Sequence, residues 1–278
     1  MARSNKSGSE GGPSRMDRAQ RLAIAQQISD QLQHHYQDQV KAIGIFGSVA
    51  REMDGPYSDI ELYCVLQGEN IETAYEWATE TWKGLVNVYS QDIMLRDAAI
   101  IDETWPFVQS GYVYIRPLYD PDNFFPSIRE IALKPRPHEF DQAVQNLIVG
   151  DLYELVGKIR NAHASGSTSA FSMLAFELTK SGASLIGLAN QHLYQSYAKM
   201  LAESLELDNR PAGYDALCKS VISGKLEDPS KIANQADRFW EGIESWATRN
   251  DIQICTTLDE HLDEQSLQEK DPDSLGEN

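Results

Sequence analysis

The stretch between Val40 and Leu66 constrains this chain more than any other. An apolar run, residues 40–46, stops at Gly47-Ser48. Arg51 follows, Asp54-Gly55-Pro56 breaks the segment, and Ser58-Asp59-Ile60-Glu61-Leu62 opens a second apolar run that ends at Leu66. Two strands joined through a glycine-serine turn account for this pattern. Alternate residues of a strand share a face, so Asp59 and Glu61 project together. Neighbouring carboxylates repel each other unless a cation lies between them. Hard oxygen donors suit Mg²⁺, which keeps much of its shell for water and substrate phosphates. Backbone N–H groups and a hydroxyl at Gly47-Ser48 are what a phosphate chain requires. An isolated Asp-x-Glu is common on exposed strands; the preceding Gly-Ser turn at this spacing makes it specific. The pattern predicts metal-dependent phosphoryl or nucleotidyl transfer.

Around this unit the periodicity changes once. Residues 17–36 carry a helical stripe of Leu22, Ile24, Ala25, Ile28 and Leu32. Residues 49–53 begin a helical turn. Residues 74–77 read as helix-like or irregular, 85–95 as a strand with a bend, and 112–116 as a strand closed by Pro117. Beyond Pro135-Arg136-Pro137 nearly everything has helical period: 140–161, 170–188, 191–206, 214–223 and 230–250. The mixture of elements predicts α+β or mixed α/β, with α+β favoured by the change of period: a mixed-sheet domain over 16–136 and an α-helical bundle over 137–256. Residues 1–15, polar and rich in Ser and Gly, read as a flexible leader, and 257–278 as an acidic tail.

The formal charge of −18 disfavours a nucleic-acid partner, whose phosphates demand Lys and Arg. It favours a cationic ligand through long-range steering. No apolar run approaches the roughly 20 residues of a membrane span, and the leader has no apolar signal segment. Cys64, Cys218 and Cys255 are scattered and odd in number, which points to reduced thiols in the cytoplasm. The six histidines show no ligand spacing, and Trp240 and Trp246 fit a bundle core.

A second constellation lies in the 140–161 segment. Glu154 and Lys158 are four apart and share a helix face. An exposed ion pair is one reading. The other is a general base beside a cation that offsets charge on phosphoryl oxygens.

At this point a family likeness enters. Val40-Lys41-Ala42-Ile43-Gly44, Gly47-Ser48, Arg51 and Asp54-Gly55-Pro56-Tyr57-Ser58-Asp59-Ile60-Glu61 resemble the aminoglycoside 4′-O-nucleotidyltransferases, the kanamycin nucleotidyltransferase family. So do Glu76-Trp77, Trp82-Lys83, Val86-Asn87, Leu147-Ile148-Val149, Gly157-Lys158, Arg160-Asn161, Gly213-Tyr214-Asp215 and Phe239-Trp240. The likeness spans residues 16–255, and the closest subtype is the second class, found in Gram-negative bacteria. It implies a polymerase-β-like nucleotidyltransferase domain followed by a helical domain. The implied reaction moves AMP from Mg-ATP to the 4′-hydroxyl of drugs such as kanamycin, tobramycin and amikacin and releases pyrophosphate. The resemblance further implies homodimers with active sites shared between subunits. Asp59 and Glu61 would hold Mg²⁺. Gly47, Ser48, Arg51, Ser58 and Lys158 would contact the nucleotide. Glu154 would be the base, with Lys158 beside it, both from the partner subunit. Glu61, Glu76, Asp151 and Glu154 would face the drug.

Two departures stand out. The family's third core carboxylate aligns with Leu85, so either two carboxylates suffice here or Glu80 or Asp92 substitutes from a shifted register. One acidic drug-binding position aligns with Gly150. A nucleotidyltransferase with another acceptor and a catalytically dead nucleotide-binding module are the competing readings.

Overall fold

The computed structural model describes residues 12–167, 169–254 and 257–258. The chain divides into two compact units: residues up to Arg136 together with Leu193–Lys199, and Pro137–His192 together with residues from Met200 onward. Cys255 and nearly all of the expected acidic tail fall outside the described residues.

The first unit is a five-stranded sheet in the order β3-β4-β2-β1-β5, formed by β1 (Val40–Ile45), β2 (Ile60–Leu66), β3 (Glu72–Ala78), β4 (Lys83–Ser90) and β5 (Arg116–Tyr119). β2 and β4 are parallel; the other neighbouring pairs are antiparallel. Helix α1 (Arg18–Tyr36) starts at a capping box in which Asp17 and Gln20 exchange side-chain and backbone bonds. Its Ala25, Ile28 and Leu32 pack on one sheet face, against Ile43, Ile45, Ile60, Leu62, Cys64, Val86 and Val88. The alternate residues Ala42, Tyr63 and Val65 meet Met94, Phe125 and Ile128 on the other face. These come from α3 (Gln91–Ala98) and α6 (Phe124–Ala132). Short helices α2 (Gly47–Ala50), α4 (Trp105–Val108) and α5 (Ser110–Val113) complete the unit.

Three local expectations are corrected. Residues 74–77 lie in an edge strand: Trp77 pairs with Gly84 and lays its ring where a Gly84 side chain would stand. The 85–95 segment leaves the sheet at Ser90 and becomes α3. Residues 110–113 are helical, and β5 begins at Arg116 and contains Pro117, tolerated because β5 is an edge. The start of the described chain is tied to two loops of this unit: the Ser14 N–H donates to Thr81 O in the β3–β4 turn (2.8 Å) and the Met16 N–H to Pro56 O before β2 (2.9 Å).

The second unit is helical. α9 (Phe171–Ala189) is its axis, buried along most of its length. α7 (Pro137–Leu147), α8 (Tyr153–Ala164), α10 (Met200–Ser204), α11 (Tyr214–Ile222) and α12 (Pro229–Arg249) form the rest of this unit. Gly182 of α9 lets Phe239 and Tyr214 approach to 2.8 Å from where a Cβ would sit. The single helix expected over 140–161 is interrupted by a wider turn at Ile148–Leu152. Of the helix expected over 191–206 only Met200–Ser204 forms, because Leu193–Lys199 belongs to the first unit. Trp240 and Trp246 are buried core residues, as expected. No helix among the described residues is long and apolar enough to cross a membrane.

Candidate active site

The Gly47-Ser48 turn follows β1 directly, and the Phe46 N–H donates to Glu61 O at 3.0 Å, tying the turn to β2. Gly47 has φ +69°, the left-handed region that favours glycine. A Cβ on Gly47 would lie 2.0 Å from Glu61 Oε2, so any larger residue here displaces this carboxylate. The Ser48 hydroxyl makes no hydrogen bond among the described residues, which leaves it available to a ligand. Ser58 differs: its Oγ accepts the Gly55 N–H (3.0 Å) and holds the loop before Asp59.

Alternation along β2 sends Ile60, Leu62 and Cys64 to the α1 face and Glu61 to the opposite face. Burial raises the Glu61 carboxyl to about 7; the charge of Asp59 pushes it the same way and Lys83 opposes. A divalent cation against Asp59 and Glu61 would offset that repulsion, so the donor set fits Mg²⁺. Among the described residues no group of three or more His, Cys, Asp or Glu side chains converges as a metal cluster.

The sheet register places Leu85. Glu61 pairs with Leu85 across β2/β4, and Leu85 with Glu76 across β4/β3. One row therefore reads Glu61–Leu85–Glu76, with a leucine between two carboxylates. The β2/β4 register is continuous from Ile60/Gly84 to Leu66/Ser90, so no shift carries another acid into the gap. Asp92 follows Ser90, itself roughly 17 Å along β4 from Leu85. There it accepts the Asn70 N–H, and the Ser90 hydroxyl holds its carboxyl below the usual range. Asp92 does not replace the missing carboxylate. Glu80 lies in the β3–β4 turn, at the Asp59 end of the sheet.

Glu76 is engaged by Lys83 at 2.6 Å. This hydrogen bond raises the Lys83 ammonium above its ordinary value, helped by the charge of Glu76 and, more weakly, of Asp59 and Glu61. Lys83 also borders a cavity of about 230 Å³ with Asp59, Tyr57, Trp82 and Pro13. Its role was not legible beforehand, because only strand pairing brings residue 83 to the Asp59 end.

Arg21 was missed as well. It interrupts the apolar stripe of α1, is 1% exposed, and sends Nε to Ser58 O (3.0 Å) and Nη1 to Asp54 Oδ2 (3.1 Å) and Met16 O (2.9 Å). Arg18 joins the same Asp54 at 2.6 Å and Val49 O of α2 at 2.8 Å. These two arginines hold the Gly47-Ser48 helix and the loop before Asp59 to one frame. Arg51, at the end of α2, donates from Nη1 to the carbonyls of Tyr194 (3.2 Å) and Gln195 (2.9 Å).

In the helical unit Glu154 and Lys158 form an exposed pair at 2.8 Å on α8. Asp151 stands exposed in the wider turn that immediately precedes them. Such turns insert an extra residue into a helix and re-aim the side chains beyond it; Gly150, with no side chain, was the available signal.

Residues 122–253 match the family model described as the KNTase C-terminal domain. Two curated relatives called aminoglycoside nucleotidyltransferase (4'), from a Bacillus species and from Staphylococcus aureus, are each 37% identical over 239 residues. Each match covers 86% of this chain and 94% of the relative. A crystal structure of a nucleotidyltransferase-like protein from Exiguobacterium sibiricum, 10% identical, matches 81% of this chain and 74% of its own with a TM-score of 0.51. That likeness concerns the α+β fold alone. With identity of this level along nearly the whole length of both relatives, the chain belongs to the aminoglycoside 4′-nucleotidyltransferase family.

Proposed function

We propose that the protein transfers AMP from Mg-ATP to the 4′-hydroxyl of aminoglycosides such as kanamycin, tobramycin and amikacin, releasing pyrophosphate and so conferring antibiotic resistance. The observation that carries this reading is the Asp59–Glu61 pair set against the Gly47-Ser48 turn, in a member of this family. Family membership implies a nucleotide co-substrate. Asp59 and Glu61 would hold Mg²⁺, which when bound neutralises phosphate charge and makes the α-phosphorus more electrophilic.

The protein's own groups do the rest. Gly47 and Ser48 offer an N–H and a free hydroxyl to the triphosphate, and Arg51 offers its guanidinium. Ser58 contributes by fixing the loop that carries Asp59. Glu154 accepts the proton of the 4′-hydroxyl as its oxygen attacks the α-phosphorus and the bond to pyrophosphate breaks. Lys158 offsets charge on the phosphoryl oxygens. The acceptor is a polycation, and Glu61, Glu76, Asp151 and Glu154 present it with carboxylates. The chain's charge of −18 draws it in. Catalysis of this kind rests on positioning and electrostatics. The working unit is a cytoplasmic homodimer in which Glu154 and Lys158 come from the partner subunit.

The test is pyrophosphate release from Mg-ATP and kanamycin, with and without EDTA, followed by NMR of the product. Metal-dependent release with AMP on the 4′ oxygen supports the reading; no release with kanamycin, tobramycin or amikacin refutes the acceptor. ATP binding without turnover on any acceptor would instead favour a nucleotide-binding module, the reading that Leu85 beside Glu61 keeps open.

A further inference from the structure

Arg51 is oriented differently from the arginines that have carboxylate partners. Arg18 and Arg21 pair with Asp54, Arg96 with Asp97, Arg160 with Asp237 and Arg210 with Asp215. Arg51 makes no ion pair among the described residues. Its partners are the carbonyls of Tyr194 and Gln195 and the face of Tyr114, whose ring centroid lies 4.8 Å from Cζ. The two carbonyls belong to Leu193–Lys199, the segment that returns to the first unit. That segment is itself anchored, since the Tyr194 N–H donates to Pro106 O (2.8 Å) and its ring stacks on Phe107 with centroids 5.5 Å apart.

The distinction has a chemical meaning. A carboxylate partner orients a guanidinium and also cancels its charge, so a phosphate must compete with it. Neutral carbonyls and an aromatic face orient the group and leave the charge in place. In a chain of net charge −18, a guanidinium oriented without a carboxylate is suited to meet an anion. The Arg51 N–H also donates to Gly47 O at 3.3 Å, which fixes the residue to the phosphate-binding turn. Tyr114 is 43% exposed, so its ring is not there to fill a core.

We propose that Tyr114 is a positioning residue for the nucleotide: with the carbonyls of Tyr194 and Gln195 it holds the Arg51 guanidinium oriented and un-neutralised at the end of the Gly47-Ser48 helix. This rests on the reading of Arg51 as a triphosphate contact. The ring acts on the ligand only through Arg51, and it sets affinity for the triphosphate rather than for the cationic acceptor.

The experiment is calorimetric titration with Mg²⁺ and α,β-methylene ATP, and separately with kanamycin. The proteins are wild type, Tyr114→Leu, Tyr114→Phe, Arg51→Ala and the Arg51→Ala/Tyr114→Leu double variant. Tyr114→Leu should bind the nucleotide analogue about two- to fivefold more weakly, Tyr114→Phe like wild type, and both should bind kanamycin unchanged. In the Arg51→Ala background the leucine should add nothing. An undiminished affinity in Tyr114→Leu overturns the proposal. So does the same loss repeated in the Arg51→Ala background, which would mean that the ring touches the ligand itself. Wild-type affinity in Arg51→Ala would overturn the underlying reading of Arg51 and the proposal with it.

Discussion

Replacing Gly47 by alanine separates the cost of backbone strain from the cost of moving a proposed metal donor. At φ +69° a side chain costs about 1–2 kcal/mol. For a domain of this size that is a drop in Tm of roughly 2–8 °C. The second effect is steric. The new Cβ would stand 2.0 Å from Glu61 Oε2, and the carboxylate must retreat by about 1 Å to reach a 3.0 Å contact. Glu61 can swing away, so this adds little to the folding cost. It moves one of two proposed metal donors, however, and a misplacement of about 1 Å costs on the order of 10²-fold in rate. Gly47→Ala should therefore fold, melt slightly early, and lose on the order of 99% of kcat. Gly224 supplies the control: φ is +68° and no atom lies within 4 Å of its added Cβ. Gly224→Ala should show comparable strain and full turnover. Steady-state pyrophosphate release and thermal melts of the two variants decide the matter. Near-wild-type kcat in Gly47→Ala, or equal inactivity in Gly224→Ala, would refute the reasoning.

Asp54→Ala should be severely destabilising, by about 3–5 kcal/mol, because it leaves the almost fully buried Arg21 without its carboxylate; a urea-unfolding midpoint close to wild type would contradict this. Asp59→Asn and Glu61→Gln should each reduce kcat by on the order of 10³-fold with unchanged circular dichroism, and wild-type-like turnover in either would remove the metal assignment. Inactive Asp59→Asn subunits mixed with inactive Glu154→Gln subunits should regain part of the activity, since a hybrid dimer contains one undamaged site; no recovery after demonstrated subunit exchange would exclude sharing. Burial pushes the Cys64 thiol up to about 12 and raises that of Cys218, so neither carries appreciable thiolate at pH 8, and iodoacetamide followed by peptide mapping should leave both unmodified. The same shift gives a sign for pH dependence. The unfolded chain loses the Cys64 proton from about pH 9, so this residue's contribution to stability falls as pH rises from there toward 12.

The parts of the molecule that could be read from sequence were those whose local pattern and tertiary role agree. Residues 40–45 and 60–66 form central strands covered on both faces, so their continuous apolar runs had one interpretation. β3 failed because it is an exposed edge. Glu72, Thr73, Tyr75 and Glu76 face outward, and only Trp77 over Gly84 reports the pairing. The 85–95 segment lacks a glycine or proline where strand becomes helix, and Ser90 alone marks the change. In 191–206 the apolar residues Leu193 and Tyr194 anchor a strap rather than a helix face. At the site, Asp59, Glu61 and Gly47 were visible as a motif. Arg21 and Lys83 were not, since their partners Asp54 and Glu76 are brought to them by the fold.

The Glu61–Leu85–Glu76 row bears on how such a site binds its ligands. Leu85 supplies no oxygen, Glu76 is occupied by Lys83, and Asp92 is committed at the far end of β4. A cation held by Asp59 and Glu61 would thus take most of an octahedral shell from water and phosphate oxygens. Two carboxylates alone bind Mg²⁺ weakly, and each phosphate oxygen added strengthens the hold. Metal and nucleotide then depend on each other for affinity, and by linkage the dependence is equal in both directions. Lys83 sharpens this. It already opposes the repulsion between Asp59 and Glu61, so the carboxylate pair is partly neutralised before any cation arrives, and the metal gains less from these two groups than a bare pair would give it. The leucine, the lysine and the two carboxylates together favour a site that assembles around the metal–nucleotide complex rather than around the metal alone.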